Sequence, residues 1–284
     1  YIPCKCFLWH IFLFVYIMFH SSSNICARVI RFITKKPIIR SYNNDTKNST
    51  IFPASTYSIL ESIRRNDAIR EKYRPKTKNQ ELYTNYLKNP EYKLVIGCGT
   101  SGVGKTYLTT SSSIDALNNE LVNKIIITTP DIIADNKRSY KLELFELYSR
   151  PVFDIFSLYF SKHEIEKMLT EKTVEYVPID HMIGRTFNNS YIIADDMQNA
   201  TVKQLLLLLT RIGDNNKLII NGNLHSMQCY KETNGLDDFI NRLHKNYGYH
   251  INQCFDNGIS IVYFDDDDIQ RNELVKSMLS LYKV

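Results

Sequence analysis

G-T-S-G-V-G-K-T, residues 99–106, is the stretch that decides how this chain of 284 residues folds. It fits the phosphate-binding loop (P-loop) pattern, in which two glycines five positions apart are followed by Lys and then Ser or Thr. Because glycine reaches backbone conformations closed to other residues, consecutive N–H groups of such a loop can point at phosphate oxygens. Lys105 would place a positive charge on the β- and γ-phosphates, and the Thr106 hydroxyl would ligate Mg²⁺.

The sequence on both sides of the loop supplies the context that this pattern requires. Residues 93–96, K-L-V-I, are a short apolar run of strand character, and residues 107–117 continue as a helical pattern. A strand, a glycine-rich loop and a helix in this order predict nucleotide binding. The predicted nucleotide-binding residues of the loop are Gly99, Thr100, Ser101, Gly102, Val103, Gly104, Lys105 and Thr106.

The composition is that of a globular protein, and its charge is unevenly distributed. Hydrophobic residues make up 44% of the chain and charged residues 23%, which suits one large α/β domain with appendages. The net charge is +5, but residues 1–50 contain seven basic residues and one acidic residue. Residues 51–284 therefore hold 28 of the 35 basic and 29 of the 30 acidic residues. Bulk charge in that part gives no support for nucleic-acid binding, which would need a local basic patch.

The six cysteines predict neither a disulfide framework nor a cysteine metal site. They are scattered, and no C-x-x-C pair occurs. Cys98 directly precedes the P-loop, where an alkylated thiol would obstruct a nucleotide, and a buried, inert thiol is the favoured interpretation.

An apolar and then basic segment precedes the predicted domain. Residues 7–19 are apolar apart from His10, which is short for a membrane span and suits the core of a signal peptide. Residues 28–50 are rich in Lys, Arg, Ser, Thr and Asn, as organelle transit segments are. We expect signal or organelle targeting and no stable membrane partner. Because the first residue is Tyr rather than Met, a start at Met18 is an alternative that would remove the apolar run and leave only a basic, Ser-rich leader. A cytoplasmic protein is the alternative if the leader is mis-assigned.

Apolar runs and amphipathic stretches alternate along the rest of the chain. We expect a flexible leader over 1–50, a linker over 51–76 and the main domain over 77–284. The predicted strands are residues 93–96, 124–129, 174–177, 191–194, 217–221 and 259–264. The predicted helices are residues 106–117, 141–148, 152–160, 162–169, 202–210, 236–247 and 269–281. This alternation predicts a three-layer α/β fold with a mostly parallel sheet, whose right-handed crossovers place the P-loop at the carboxyl edge.

A second motif, Y-I-I-A-D-D at residues 191–196, indicates where magnesium would be bound and the attacking water oriented. Four mainly apolar residues predict a buried strand from which two carboxylates emerge. Asp195 would hold Mg²⁺ through its water shell, as the acidic residue of a Walker B motif does. Asp196 stands where ATPases carry the residue that orients or deprotonates water. An acidic turn that merely caps a strand is the alternative.

Five further segments agree in order with one known family. They are T-K-N-Q-E-L-Y at 77–83, H-M-I-G-R-T-F at 181–187, I-I-A-D-D-M-Q-N-A-T at 192–201, L-T-R-I-G-D-N-N-K-L at 209–218 and F-D-D-D-D-I-Q-R-N-E-L-V at 264–275. Together with the P-loop they resemble PhoH-like ATPases over residues 75–283. The resemblance implies a RecA-like core related to helicases, ATP hydrolysis with Mg²⁺ and a ring-shaped homo-oligomer. It also implies a role in remodelling RNA or ribonucleoproteins.

The resemblance also implies roles for residues outside the two motifs. Gln80 is similar to the glutamine that reads the adenine edge, and Gln198 to the polar residue that contacts the γ-phosphate or its water. Arg185, Arg211 and Arg271 match arginines of the family that could neutralise transition-state charge, within the subunit or across an interface. The implied catalytic residues are Lys105, Asp195, Asp196, Gln198 and Arg271.

This chain departs from the family pattern where hydrolysis is controlled. Asp196 replaces the usual Glu, which shortens the side chain by one methylene, and a misplacement near 1 Å can lower a rate ~10²-fold. Asn223 replaces an Asp that senses the γ-phosphate, and Ser226 stands where a Gln follows. The loop expected to contact RNA is shortened to residues 131–139. We therefore expect ATP binding with slow hydrolysis.

Two alternatives remain open from the sequence. The first is a non-catalytic assembly protein in which ATP stabilises an oligomer without turnover, favoured by Asp196 and Asn223. The second is a small-molecule kinase, for which Arg138 and Arg150 would be lid residues.

Overall fold

The computed structural model describes residues 74–130, 141–224, 234–248, 254–255 and 258–281. The predictions for the leader at 1–50, for most of the linker and for the loop at 131–139 lie outside these residues. Ser226 and Arg138 also lie outside them.

Seven strands form one sheet in the order β3-β2-β4-β5-β1-β7-β6. The strands are β1 (Leu94–Cys98), β2 (Lys124–Thr128), β3 (Val174–Tyr176), β4 (Ser190–Ala194), β5 (Lys217–Gly222), β6 (Cys254–Phe255) and β7 (Ile259–Tyr263). All neighbouring pairs are parallel except β6 with β7, which is antiparallel. The six predicted strands are confirmed within one or two residues. The two-residue β6 was too short to predict.

The helices are α1 (Lys78–Lys88), α2 (Lys105–Asn118), α3 (Lys141–Tyr159), α4 (Lys162–Thr170), α5 (Val202–Leu209), α6 (Gly235–Tyr247) and α7 (Glu273–Leu281). Single 3₁₀ turns lie at Ile179–Met182, Met197–Asn199 and Asp266–Asp268. Among the described residues, none of these helices combines the length and the apolar character that crossing a bilayer requires.

Apolar side chains pack on both faces of the sheet. In β1, Val95 belongs to one buried cluster together with residues of α1, α2 and α3, whereas Ile96 belongs to a second cluster with residues of α5 and α6. This alternation follows from the two-residue period of a strand, and strands buried on both faces are typical of parallel sheets. The predicted three-layer α/β architecture is confirmed.

Two predicted helix boundaries were wrong for local reasons. Residues 141–148 and 152–160 were predicted as separate helices, but α3 runs through Pro151 as one helix. Val152 and Phe156 are buried beyond it, so packing outweighs the hydrogen bond that proline removes. The helix predicted from residue 269 begins at Glu273 because the Asn272 side chain accepts a hydrogen bond from the Val275 N–H, which caps α7.

The helix α1 was not predicted, and it ties the start of the domain to its end. Thr77 caps the helix, its side chain accepting a hydrogen bond from the Gln80 N–H, while the same hydroxyl donates to the buried Asp268 carboxylate. The Asn79 amide donates to Asp268 as well, at 2.8 Å. The Thr77 cap is local, whereas its link to Asp268 joins residues 191 positions apart and has no local sequence signal.

Candidate nucleotide-binding site

The P-loop joins β1 to α2 in the conformation that its glycines permit. Gly102 and Gly104 have φ of 93° and 91°, in the left-handed region that favours glycine. Gly99 is needed for a different reason, since a Cβ there would lie 2.6 Å from the Phe264 Cβ. The loop therefore lies tightly against the segment that follows β7.

Lys105 is held inside the loop by two backbone carbonyls. Its Nζ donates to the oxygens of Gly99 at 2.6 Å and Thr100 at 2.9 Å. An ammonium has three N–H donors, so the third can reach a phosphate oxygen. Burial lowers the pKa of Lys105, and the charge of Asp195 partly restores it.

Thr106 and Asp195 meet where the motif predicts a metal. The Thr106 Oγ1 donates to the Asp195 Oδ2 at 2.8 Å, which joins the start of α2 to the end of β4. Asp195 is 9% exposed, and burial together with the charge of Asp196 raises its pKa to about 6, against the hydrogen bond from Thr106. A hydroxyl and a carboxylate side by side are oxygen donors that suit Mg²⁺.

A magnesium ion at these two residues would need further ligands from outside the protein. Among the residues that the structure describes, no group of three or more His, Cys, Asp or Glu could hold a metal by itself. Mg²⁺ usually keeps several waters and is bound by one or two protein oxygens plus substrate phosphates. Thr106 and Asp195 fit that pattern, and the cation would offset the unfavourable burial of the carboxylate.

A chain of hydrogen bonds links the three residues whose positions are predicted to lie beside the γ-phosphate or its attacking water. The Gln198 Nε2 donates to the Asp196 Oδ1 at 3.1 Å, and the Gln198 Oε1 accepts from the Asn223 N–H at 3.1 Å. Asp196 is exposed and has φ of 55°, so the chain turns sharply after β4. The structure thus places these residues together at the carboxyl edge of the sheet.

Gln80 lies beneath the P-loop and is 3% exposed. Its Nε2 donates to the carbonyl oxygens of Val103 and Asp268, and its Oε1 accepts from the Lys76 N–H. The amide therefore fastens α1 to the loop and to the Asp266–Asp268 turn. Its contact with adenine stays a prediction, and that contact would require exchange of one of these bonds.

Arg271 is the predicted arginine that lies beside the loop. A Cβ on Gly102 would stand 2.9 Å from the Arg271 Cγ, and the Gln270 N–H donates to the Gly102 carbonyl at 2.9 Å. Arg271 is exposed, and its side chain therefore lies at the wall of the nucleotide site.

Arg185 and Arg211 lie elsewhere. The Arg185 guanidinium pairs with Glu175 at 2.9 Å and stands 4.8 Å from the ring centre of Phe187, while the Arg211 Nη1 donates to the Arg185 carbonyl. The two arginines are neighbours in space, and they lie in the segments that precede β4 and β5.

The topology separates this cluster from the P-loop. Phe187 precedes β4 and pairs with Ile212, which precedes β5, so both lie at the amino edge of the parallel sheet. Because β4 is five residues long, the amino edge lies about 16 Å from the carboxyl edge, where the P-loop lies. Arg185 and Arg211 could therefore act only on a nucleotide bound by another subunit, and that role stays a prediction.

Sequence reasoning missed a buried polar network behind the site. The Tyr83 hydroxyl donates to the Asn221 Oδ1 at 2.6 Å and lies 2.9 Å from the Thr109 Oγ1. A hydrogen bond from the Asn221 amide also opposes the rise that burial causes in the pKa of Asp195. Gly97 makes room for the network, because a Cβ there would lie 2.9 Å from the Tyr83 hydroxyl. An Asn ending an otherwise apolar strand was the available signal.

Cys98 is buried at the end of β1, and burial raises the pKa of its thiol to about 12. The thiolate is the reactive form, so this thiol is inert at neutral pH. The interpretation as a buried structural cysteine is confirmed.

A mostly parallel sheet with a P-loop after β1 and an acidic pair after β4 defines the class of P-loop nucleoside-triphosphatase folds. A family model described as PhoH-like protein matches residues 72–283. The chain therefore belongs to the PhoH-like protein family, as the sequence motifs indicated.

Individual relatives agree with this assignment. A PhoH-like protein of Bacillus subtilis is 29% identical over 254 residues, which are 88% of this chain and 75% of that protein. Protein PhoH of Escherichia coli is 32% identical over 216 residues, covering 71% of this chain and 56% of that protein. A PhoH-like protein of Mycobacterium tuberculosis is 32% identical over 155 residues, covering 53% and 44% respectively. The chain thus matches about half the length of the last two relatives.

Proposed function

We propose that this protein binds ATP with Mg²⁺ and hydrolyses it slowly. The observation that carries the proposal is the 2.8 Å hydrogen bond between Thr106 and Asp195. It brings a P-loop hydroxyl and a Walker B carboxylate together beside Lys105, where the phosphates of a nucleotide would lie.

Each residue of the site has a defined part in this proposal. The loop N–H groups and the third N–H of Lys105 bind phosphate oxygens, and Arg271 adds positive charge from the wall of the site. Thr106 and Asp195 hold Mg²⁺, which neutralises charge on the phosphates when bound. Asp196 orients or deprotonates the attacking water, with its carboxylate positioned by Gln198.

The same contacts support slow turnover. The Asp196 carboxylate is shorter than the Glu that the family resemblance implies, and it already accepts a hydrogen bond from Gln198. Asn223 offers a neutral amide where the resemblance implies a carboxylate, so a water at the γ-phosphate would meet one base fewer. Binding groups are thus complete, while the groups that activate water are weakened.

A second candidate is nucleotide-dependent assembly without turnover. The weakened water-activating groups at Asp196 and Asn223 favour it, while Arg185 and Arg211 at the amino edge would support assembly in either candidate. A ring-shaped homo-oligomer would provide that contact. Coupling to RNA or ribonucleoprotein remodelling is a further part of the proposal that rests on resemblance alone.

The test combines calorimetry, phosphate release and particle mass on the full chain. We expect Mg²⁺-dependent ATP binding, phosphate release well below one per second, and a larger mass with ATP than without it. Binding and assembly with no phosphate release would favour the second candidate. Lack of ATP binding would reject both, and stimulation by single-stranded RNA would support the remodelling role.

A further inference from the structure

A cavity of about 380 Å³ opens at the amino edge of the sheet, away from the P-loop. The ends of α1 and α2 and the starts of β4 and β5 surround it. Asp115 of α2 lines the cavity, and it lies nine residues beyond Thr106, which is about 14 Å along a helix. No residue of the P-loop takes part in the lining. The cavity is therefore separate from the nucleotide site.

Lys217, the first residue of β5, holds its ammonium at the cavity wall. Its Nζ donates to the carbonyl oxygens of Tyr86 and Asn89, each at 2.7 Å, at the end of α1. Two of its three N–H donors are thereby fixed, and the third remains available. Burial and the nearby charge of Lys93 lower the pKa of Lys217 to about 7. No carboxylate is among the causes that act on this pKa, so no negative charge offsets the two effects.

The other charged residues of the lining do not supply that charge. Lys88 and Lys93 also line the cavity, and within the described residues none of the three lysines forms an ion pair with a carboxylate. Asp115 is the one acidic residue in the described lining. Three lysines and one aspartate thus line a single cavity, and an anion from outside would favour the protonated form of the lysines.

An apolar wall completes the site. Tyr191 is 1% exposed at the back of the cavity, and its buried hydroxyl lies beside Ser112 and Asp115 of α2, which also line the cavity. Leu87, Leu121 and Val122 supply apolar surface to the same cavity. Such a mixture is typical of small-molecule sites.

We propose that this cavity binds a small organic anion, such as a monophosphate or carboxylate with an aromatic or aliphatic body. The anionic group would accept a hydrogen bond from Lys217 and lie near Lys93. The body would lie against the apolar wall. This inference concerns a second site and does not depend on ATP hydrolysis.

Calorimetric titration of the full chain with phenyl phosphate tests the proposal, with phenol as the uncharged control. We expect saturable binding of phenyl phosphate that saturating ATP does not displace, and much weaker binding of phenol. Lys217→Met keeps the apolar stem and should weaken binding about tenfold or more, the usual worth of a charge-assisted hydrogen bond. Lys93→Met, at an exposed position, should weaken it about threefold.

Lys162→Met is the matched control, because Lys162 is 91% exposed on α4 and does not line the cavity. It should leave phenyl phosphate binding unchanged. The proposal is overturned if phenyl phosphate shows no saturable binding, if ATP displaces it, or if phenol binds equally well. Equal binding by Lys217→Met and Lys93→Met would overturn it as well. Because Lys93 is exposed, its variant answers the question even if Lys217→Met does not fold.

Discussion

The carboxyl and amino edges of the sheet are formed by the same parallel strands, yet they arrange their charged residues in opposite ways. At the carboxyl edge, the Thr106 hydroxyl bonds Asp195, and Gln198 bonds both Asp196 and Asn223. At the amino edge, three lysines line a cavity, and within the described residues none of them forms an ion pair.

The difference shows how each edge would meet a ligand. The carboxyl edge presents oxygen donors and one ammonium in fixed positions, which suits a phosphate chain with its cation. The amino edge presents cations beside an apolar wall, which suits an organic anion without a metal. The predictions below test whether the two edges are independent sites of these two kinds.

The largest effect is expected at Lys105. Lys105→Ala removes the ammonium that Gly99 and Thr100 hold in the loop, so ATP affinity should fall at least about 100-fold. Calorimetry with Mg²⁺-ATP measures it, and Lys162→Ala on exposed α4 is the control. Unchanged affinity in Lys105→Ala would remove the nucleotide site from the carboxyl edge.

Asp195→Asn should lower phosphate release while raising the stability of the fold. Loss of the carboxylate should remove the Mg²⁺ dependence of ATP affinity and lower phosphate release about 10²-fold. The same change removes a buried charge whose pKa is raised to about 6, so the folded protein should become more stable. Affinity measured with Mg²⁺ and with EDTA, beside a thermal melt, gives both readouts. A lower melting temperature would mean that the Thr106 hydrogen bond dominates.

Restoring the residues of relatives should speed the reaction. Asp196→Glu lengthens the water-activating side chain, and Asn223→Asp returns a carboxylate to the γ-phosphate side, so each should raise phosphate release about tenfold. ATP affinity should stay the same, since neither residue lies in the P-loop. No measurable phosphate release in the wild type or in either variant would favour the assembly candidate, in which these positions have no catalytic part.

Features with a local signal could be predicted from the sequence, and features made by distant residues could not. The P-loop and Asp195 each follow an apolar strand in the sequence. This local pattern predicts that both lie at the carboxyl edge of the sheet. The partnership of Tyr83 with Asn221 joins residues 138 positions apart. No periodicity in the chain encodes it.

The position of the arginines had a local signal. Arg185 and Arg211 each shortly precede a predicted strand, and the start of a parallel strand lies at the amino edge of the sheet. The contact between Phe187 and Ile212 agrees with that position. The cavity at Lys217 had no such signal, because its lining comes from α1, α2, β4 and β5 together.

The smallest effect tests the uncompensated charge at the amino edge. The pKa of Lys217 is lowered from 10.5 to about 7 in the folded protein, so between those pH values the unfolded chain binds more protons. The free energy of unfolding should therefore rise as pH increases from 7 to 9, by about 1 kcal/mol once solvent screening is allowed for. Below pH 7 both states are protonated at Lys217, and this contribution stays constant.

Urea unfolding at pH 7, 8 and 9 measures the effect, and Lys217→Met should abolish the Lys217 share of the rise. Lys93→Met should shrink it, because the pKa of Lys217 recovers when the neighbouring charge is removed. Phenyl phosphate bound in the cavity should shrink it in the same way, since an anion favours the protonated amine. A slope that is identical in all these conditions would mean that the lysines do not sense one another, and the contrast between the two edges would then fail.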